Sequence, residues 1–150
     1  MDNVLERLST LEDYRGIEQL LYMYAHTIDQ HLADEWLDLF VADARYRSIR
    51  ISPSGERETI VDFQGVEAFR KFITDFTSGN RRPPGDSQKN FISQPIIRLH
   101  GDTAEAVTYF HLVVVHNGVK EIFANGRYFD TLVRCSDSKW RFSDRMSEVE

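Results

Sequence analysis

The sequence contains a single cysteine, Cys135, and therefore no internal disulfide bond. One unpaired cysteine is typical of a reducing compartment, and we expect a cytoplasmic protein whose thiol has no catalytic role. The N-terminus is polar and acidic and lacks the basic and apolar regions of a signal peptide. No apolar run approaches the roughly 18 residues that a membrane-spanning helix needs, so we expect no membrane segment.

An excess of basic residues is also missing, because the formal net charge is −6 at pH 7. Binding to nucleic acid requires a basic face, so we expect no nucleic-acid partner. The one basic cluster, Arg81–Arg82, lies in the proline- and glycine-rich segment Ser78–Gln88. We interpret this segment as a solvated loop, with contact to an anionic ligand or partner as the alternative.

Repeats, low-complexity segments and long linkers are absent, and residues 1–150 are therefore predicted to form one domain. A domain of this length buries about two thirds of its unfolded surface and needs neither a disulfide nor a metal to fold. Paired cysteines, His-x-His motifs and glycine-rich phosphate loops do not occur. We expect no metal and no cofactor.

Helical spacing of apolar residues is present in the first third of the chain. Ser9-x-x-Glu12 has the form of a capping box, and Asp34 is the expected cap of a second, short helix that ends near Asp43. A third helix is predicted after Gly65. The apolar stripes of the first and third helices are Ile17, Leu20, Leu21, Tyr24 and Ile28, and Val66, Phe69, Phe72, Ile73 and Phe76.

The spacing changes to that of β-strands at Ala44. Two strands, Ala44–Ile51 and Thr59–Phe63, are predicted to form a hairpin around Ser52-Pro53-Ser54-Gly55. Asn117-Gly118 is a signal for a type I′ turn between two long strands. The predicted strands of the second half are Lys89–Leu99, Ala104–His116, Val119–Arg134 and Lys139–Met146.

Helices followed by a run of strands are typical of the α+β class. A long antiparallel sheet twists and curls, and its concave face needs a cover. We therefore predict a cone-shaped α+β barrel in which a curved antiparallel sheet wraps around three helices from the N-terminal half. Because the long strands are apolar on both faces, we also expect a homodimer or homotrimer through the outer sheet face.

Several segments resemble a SnoaL-like domain of the NTF2-like superfamily, whose fold is also called cystatin-like. The segments are Tyr24-Ala-His-Thr-Ile-Asp29, Trp36-Leu-Asp-Leu-Phe40, Asp43-Ala-Arg-Tyr46, Gly101-Asp-Thr-Ala104 with Tyr109, Gly126-Arg-Tyr128, and Trp140-Arg-Phe142 with Arg145. They cover almost the whole chain in the right order. The superfamily includes dehydratases, isomerases, cyclases, small subunits of ring-hydroxylating dioxygenases and non-catalytic binding proteins, so the fold alone does not determine a reaction.

Tyr24 and Asp29 are the leading candidates for chemistry, because dehydratases of this family use a tyrosine and an aspartate at this spacing. They lie roughly 140° apart on an ideal helix, which fits a helix end at a pocket mouth. A carboxylate in an apolar cavity has a raised pKa and can act as a general base, and a phenol can donate a hydrogen bond to a carbonyl or enolate. The alternative is a core tyrosine and a helix-terminal aspartate.

Asn90 is a departure from the family, since several catalytic members have a proton-shuttling histidine at the matching position. Asparagine can orient a ligand but cannot accept a proton near neutral pH. His111 is the alternative imidazole, although strand alternation places it opposite Phe110 unless the register slips by one residue. His26 is expected on the exposed side of the first helix. The residues expected to line the pocket are Tyr46, Phe110, Leu112, Phe129 and Arg145.

Three functions follow from these features. The first is a cofactor-independent lyase or isomerase acting on a small hydrophobic cyclic, polyketide-like or steroid-like molecule, with Asp29 as base, Tyr24 as donor, and Asn90 and His111 as further candidates for the catalytic site. The second is a non-catalytic protein that binds a small hydrophobic molecule. The third is a small structural subunit of a ring-hydroxylating dioxygenase.

Overall fold

The computed structural model describes residues 2–79 and 83–150, which form helices on one face of a seven-stranded, curved and unclosed sheet. The α+β class is therefore confirmed. Arg81 and Arg82 lie outside the described residues. The elements are α1 Asp2–Asp29, α2 Ala33–Leu37, β1 Phe40–Ile51, β2 Arg57–Gln64, α3 Val66–Gly79, β3 Ser87–Ile92, β4 Ile96–His100, β5 Thr103–His116, β6 Val119–Arg134 and β7 Trp140–Val149.

The sheet has the strand order β2-β1-β7-β6-β5-β3, and β4 also pairs with β5. All neighbouring strands are antiparallel except β1 and β7, which run parallel. The sequence does not predict this parallel pair, because most of the chain separates the two strands and no turn fixes their direction. The predicted turn Asn117-Gly118 is confirmed, with both residues at positive φ, 49° and 75°.

Two predicted helix caps are wrong. Helix α1 begins at Asp2, so Ser9 lies inside the helix and does not cap it. Helix α2 has Leu32 at its N-cap position and makes no side-chain cap hydrogen bond, so Asp34 lies within the helix instead. The helix also ends earlier than predicted, since Phe40 already belongs to β1 and pairs with Phe142 of β7.

The predicted strand Lys89–Leu99 is two strands, β3 and β4, which pair with successive parts of β5. The break contains Pro95, which has no backbone N–H to contribute to a sheet. Ser93 holds the break against β5, because its backbone N–H donates to the Tyr109 carbonyl at 2.9 Å and its Oγ accepts the Tyr109 N–H at 3.0 Å.

The core lies between the helices and the concave face of the sheet. The predicted apolar stripe of α1 is confirmed, since all five of its residues from Ile17 to Ile28 are buried. Aromatic rings fill the space above them, and the buried ones are Tyr24, Trp36, Phe40, Tyr46, Phe69, Phe110, Tyr128, Trp140 and Phe142. Within the described residues, none of the helices combines the length and the apolarity that crossing a bilayer requires.

Candidate functional site

A β-bulge in β7 brings Arg145 into the core. Thr131 pairs with Asp144 and Leu132 pairs with Phe142, so Ser143 is the extra residue of the bulge. Strict alternation would place Phe142 and Arg145, three residues apart, on opposite faces of the sheet. The extra residue restores them to the same inner face, where Arg145 is only 1% exposed.

The Arg145 guanidinium lies between two tyrosine rings. Its central carbon is 3.9 Å from the ring centre of Tyr24 and 3.7 Å from that of Tyr128. The negative faces of the rings stabilise the cation in this apolar setting. Arg145 Nη1 also lies 3.4 Å from Asp130 Oδ2. Burial nevertheless raises the pKa of Asp130 to about 7, because it outweighs the opposing effect of Arg145.

Several polar atoms around Arg145 form no hydrogen bond with the described residues. They are Arg145 Nε and Nη1, both carboxylate oxygens of Asp130, and Thr108 Oγ1. The charges of Arg145 and Asp130 therefore attract each other without the geometry of a hydrogen bond. Such a cluster is energetically costly, since a buried polar atom without a partner loses its interaction with water.

Tyr24 is packed on all sides by aromatic rings. Its ring centre is 5.8 Å from that of Tyr128 and 6.0 Å from that of Phe142, and its hydroxyl forms a hydrogen bond with Tyr46. Burial raises the pKa of the Tyr24 phenol well above its ordinary value. The side chain is therefore a neutral hydrogen-bond donor, and it occupies the core position that was the alternative interpretation of this residue.

Asp29 lies in the last turn of α1 and contacts β3. The backbone N–H of Asn90 donates to Asp29 Oδ2 at 2.7 Å, and Asn90 Nδ2 donates to Oδ1 at 2.6 Å. The Gln88 side chain also forms a hydrogen bond with this carboxylate. Burial raises the pKa of Asp29, and the donors from Asn90 and Gln88 oppose that rise because they stabilise the anion.

The position of Asn90 follows from the register of β3. Asn90 pairs with Leu112, so both side chains point to the inner face of the sheet. The backbone N–H of Asn90 points to the free edge of β3, where no further strand accepts a hydrogen bond from it. The Asp29 carboxylate accepts that hydrogen bond instead. The structure thus brings Asn90, at the position where the resemblance implies a histidine, into contact with the Asp29 carboxylate.

The inner face of the sheet is less buried near Asn90 than farther along the sheet. Farther along the sheet, Thr108, Phe110 and Tyr128 are buried, with Phe110 stacked on Tyr128 at 4.3 Å between ring centres. Near Asn90 the inner-facing residues are only half-buried. These residues are Ile92, Leu112, Ala124 and Val149, and we call them the mouth; Leu112 pairs with Asn90, which binds the Asp29 carboxylate.

The predicted site residues fall into three groups. Asp29, Asn90 and Leu112 lie at the mouth, whereas Tyr24, Tyr46, Phe110 and Arg145 lie together in the buried aromatic core.

The third group, His111 and Phe129, lies on the outer face, which corrects the expectation that Phe129 lines the pocket and places His111 where strand alternation predicts it. His111 stacks on Phe91 there, at 5.2 Å between ring centres, and Phe129 lies beneath the Arg127 guanidinium at 5.2 Å. Strand alternation explains both positions, because Phe110 and Tyr128 take the inner positions next to them.

Two residues of the core cluster, Tyr128 and Asp130, were missed by the sequence interpretation. The signal that finds them is the alternation of Gly126, Tyr128, Asp130 and Leu132, which continues the apolar face of β6. Among the residues that the structure describes, no group of three or more histidine, cysteine, aspartate or glutamate side chains is arranged to hold a metal ion.

Residues 9–146 match the family model of the SnoaL-like domain. No curated protein sequence matches the chain. Among solved structures, an NTF2-like protein with a cystatin-like fold from Novosphingobium aromaticivorans has 22% identity and a TM-score of 0.81, covering 99% of this chain and 89% of that protein. The presumed beta subunit of an aromatic-ring-hydroxylating dioxygenase from the same organism has 18% identity and a TM-score of 0.80, covering 95% and 92%.

A presumed scytalone dehydratase, also from Novosphingobium aromaticivorans, has 20% identity and a TM-score of 0.71, with 94% of this chain and 86% of that protein covered. At these identities the structural likenesses establish the fold alone. The family match covers α1 from Ser9 onwards, including Asp29, and the sheet up to Met146 of β7.

Proposed function

The chain belongs to the SnoaL-like domain family, and we propose that it is a cofactor-independent lyase or isomerase for a small hydrophobic cyclic molecule. The observation that carries this proposal is the Asp29 carboxylate, which accepts two hydrogen bonds from Asn90 next to the half-buried apolar residues of the mouth. Asp29 would be the general base. Tyr24, kept protonated by burial and close to the Arg145 cation, would be the donor for a developing oxyanion, which requires the substrate to reach from the mouth into the aromatic core.

Asn90 determines which reaction suits this site. An amide donates hydrogen bonds to the carboxylate but does not accept its proton, so Asp29 has to hold the abstracted proton itself. Loss of a hydroxide leaving group also needs an acid, and Asn90 cannot supply one. Removal of a proton next to a carbonyl, followed by its return to another carbon, needs only a base and an oxyanion donor. Asn90 therefore favours isomerisation over dehydration.

The test is base-catalysed proton exchange on a hydrophobic cyclic ketone. Beta-tetralone, a two-ring ketone, is incubated with the protein in D₂O, and deuterium incorporation next to the carbonyl is followed by NMR. We expect the protein to accelerate incorporation well above the rate in buffer. Tight binding of the ketone without acceleration would contradict the proposal.

A non-catalytic binding protein is the second candidate, and the same Asn90 favours it. Both oxygens of Asp29 already accept N–H donors, which is also how a structural carboxylate satisfies the exposed edge of a strand. In that case the mouth binds its ligand by shape and apolar contact. Binding that persists in Asp29→Asn, together with no exchange in the wild type, would support this candidate.

The outer sheet face supports a further proposal, that copies of the chain associate as a homodimer or homotrimer. Ile96 and Tyr109 are 68% and 64% exposed on this face and border a cleft of about 590 Å³. Two of the three arginines that border this cleft are paired within the chain, Arg47 with Asp144 at 2.7 Å and Arg127 with Glu148 at 3.1 Å. An apolar face on which most of the charges are paired suits a second copy of itself better than a charged partner.

Sedimentation velocity at micromolar concentration checks this association. We expect a dimer or a trimer, and the double substitution Ile96→Asp with Tyr109→Asp should shift the protein to the monomer because it places charge in the apolar contact. A wild-type monomer would contradict the proposal. A mass that increases only when a larger chain is added would instead favour a subunit role, as in the dioxygenase assembly.

A further inference from the structure

A small cleft between α1 and β3 leads from solvent to Asp29. Its volume is about 380 Å³, and its lining residues include Tyr22, His26 and Asp29 from α1 and the segment Lys89–Ile92 from β3. His26 and Asp29 are three residues apart and therefore lie on the same side of the helix. The side chain of His26 is exposed to solvent.

We infer that His26 is a positioning residue for Asp29, whose cationic form keeps the carboxylate ionised in mildly acidic solution and so sets the lower pH limit of the reaction. This inference rests on the proposed function of Asp29. It deepens that function by assigning an imidazole to the outer cleft, whereas the strand position next to the carboxylate holds an asparagine.

The surroundings of Asp29 leave His26 as the group whose charge can change in this role. From α1, the titratable side chains that line the cleft are Tyr22 and His26, and from β3 the charged one is Lys89. Asn90 and Gln88 contribute neutral amides. Burial is the largest influence on the pKa of Asp29 and raises it, whereas the charge of His26 lowers it, which is the direction that a nearby cation produces.

The size of the effect follows from Coulomb's law. Two charges about 6 Å apart in a water-like dielectric change a pKa by about half a unit. Removing the cation raises the pKa of Asp29, so the acid limb of the rate profile moves to higher pH by that amount. On the limb itself, near pH 5, this is about a threefold loss of rate. Well above the acid limb Asp29 is ionised in both proteins, so the rates should agree.

A purely structural role for His26 predicts a different outcome. The side chain lies in the last turn of α1, where a cation interacts favourably with the helix dipole. His26→Lys retains the cation in both roles, whereas His26→Gln removes it. A structural role would change the unfolding temperature and leave the acid limb in place.

The experiment compares pH profiles of deuterium incorporation into beta-tetralone for wild type, His26→Gln, His26→Lys and His100→Gln. His100 is an exposed histidine on β4, 3.4 Å from Glu105, and is the matched control. We expect the acid limb to move up by about half a pH unit in His26→Gln alone, and about 1 M NaCl to reduce that difference by screening. Thermal unfolding of each variant reports on any structural effect.

A second measurement keeps the inference testable when no exchange is seen. The carboxyl carbon of Asp29 can be titrated by NMR in wild type and His26→Gln, and its midpoint should rise in the variant. An unchanged midpoint and an unchanged acid limb would overturn the role of His26. Full exchange activity in Asp29→Asn would instead overturn the proposed function, so the two failures are distinguishable.

Discussion

Replacement of Gly126 with alanine should lower the free energy of unfolding by at least about 3 kcal/mol, since overpacking that forces a backbone shift lies at the severe end of single substitutions. A Cβ atom at this position would lie 1.8 Å from the Glu148 carbonyl oxygen and 3.2 Å from a ring carbon of Phe110. Neither neighbour is a flexible side-chain end. The backbone of β7 would therefore have to move away from β6.

Urea unfolding followed by circular dichroism measures this loss. The matched control is Gly79→Ala at the end of α3, where a Cβ meets no atom within 4 Å. We expect the control to be neutral or slightly stabilising, because alanine favours a helix and restricts the unfolded chain. Equal stability of Gly126→Ala and wild type would contradict the close approach of β6 and β7.

Replacement of Asp29 with asparagine should reduce deuterium exchange into beta-tetralone by about 100-fold or more, which is the scale on which a positioned general base contributes. The substitution preserves the shape of the side chain and removes its ability to accept a proton. The carbonyl oxygen of the new amide can still accept one donor from Asn90. The amide nitrogen would face the other donor, so a local cost of about 1 kcal/mol is expected.

Asp34→Asn is the control for this substitution, because Asp34 is exposed on α2 and the same chemical change is then made away from the mouth. Exchange by the control should match the wild type. Thermal unfolding of both variants separates a lost base from a lost fold. Exchange at the wild-type rate in a folded Asp29→Asn protein would exclude Asp29 as the base.

Much of the fold could be predicted from local patterns. The stripe from Ile17 to Ile28 reflects the helical period, and the Asn117-Gly118 turn reflects the positive φ angles that a type I′ hairpin requires. Each signal depends only on residues close in sequence, so it does not depend on how distant segments pair in the fold. Asp29 and Asn90 were identified by resemblance, and the register of β3 explains their contact.

The parts that could not be predicted depend on long-range pairing. The bulge at Ser143 reverses the alternation of β7 and carries Arg145 inward, and nothing in the local sequence marks it. The parallel contact of β1 with β7 joins strands that lie near opposite ends of the chain, as in the pair Arg47–Met146. Phe129 was assigned to the interior, but it lies on the outer face of β6. Its neighbours Tyr128 and Asp130 are the residues of this strand that face inward.

The state of the Asp29 carboxylate can be measured directly by NMR titration of its carboxyl carbon in the wild-type protein. We predict a pKa above the ordinary value of an aspartate, because burial outweighs the donors from Asn90, and a midpoint that coincides with the acid limb of deuterium exchange. A pKa at or below the ordinary value, or an acid limb that follows a different group, would contradict the assignment of Asp29 as the base.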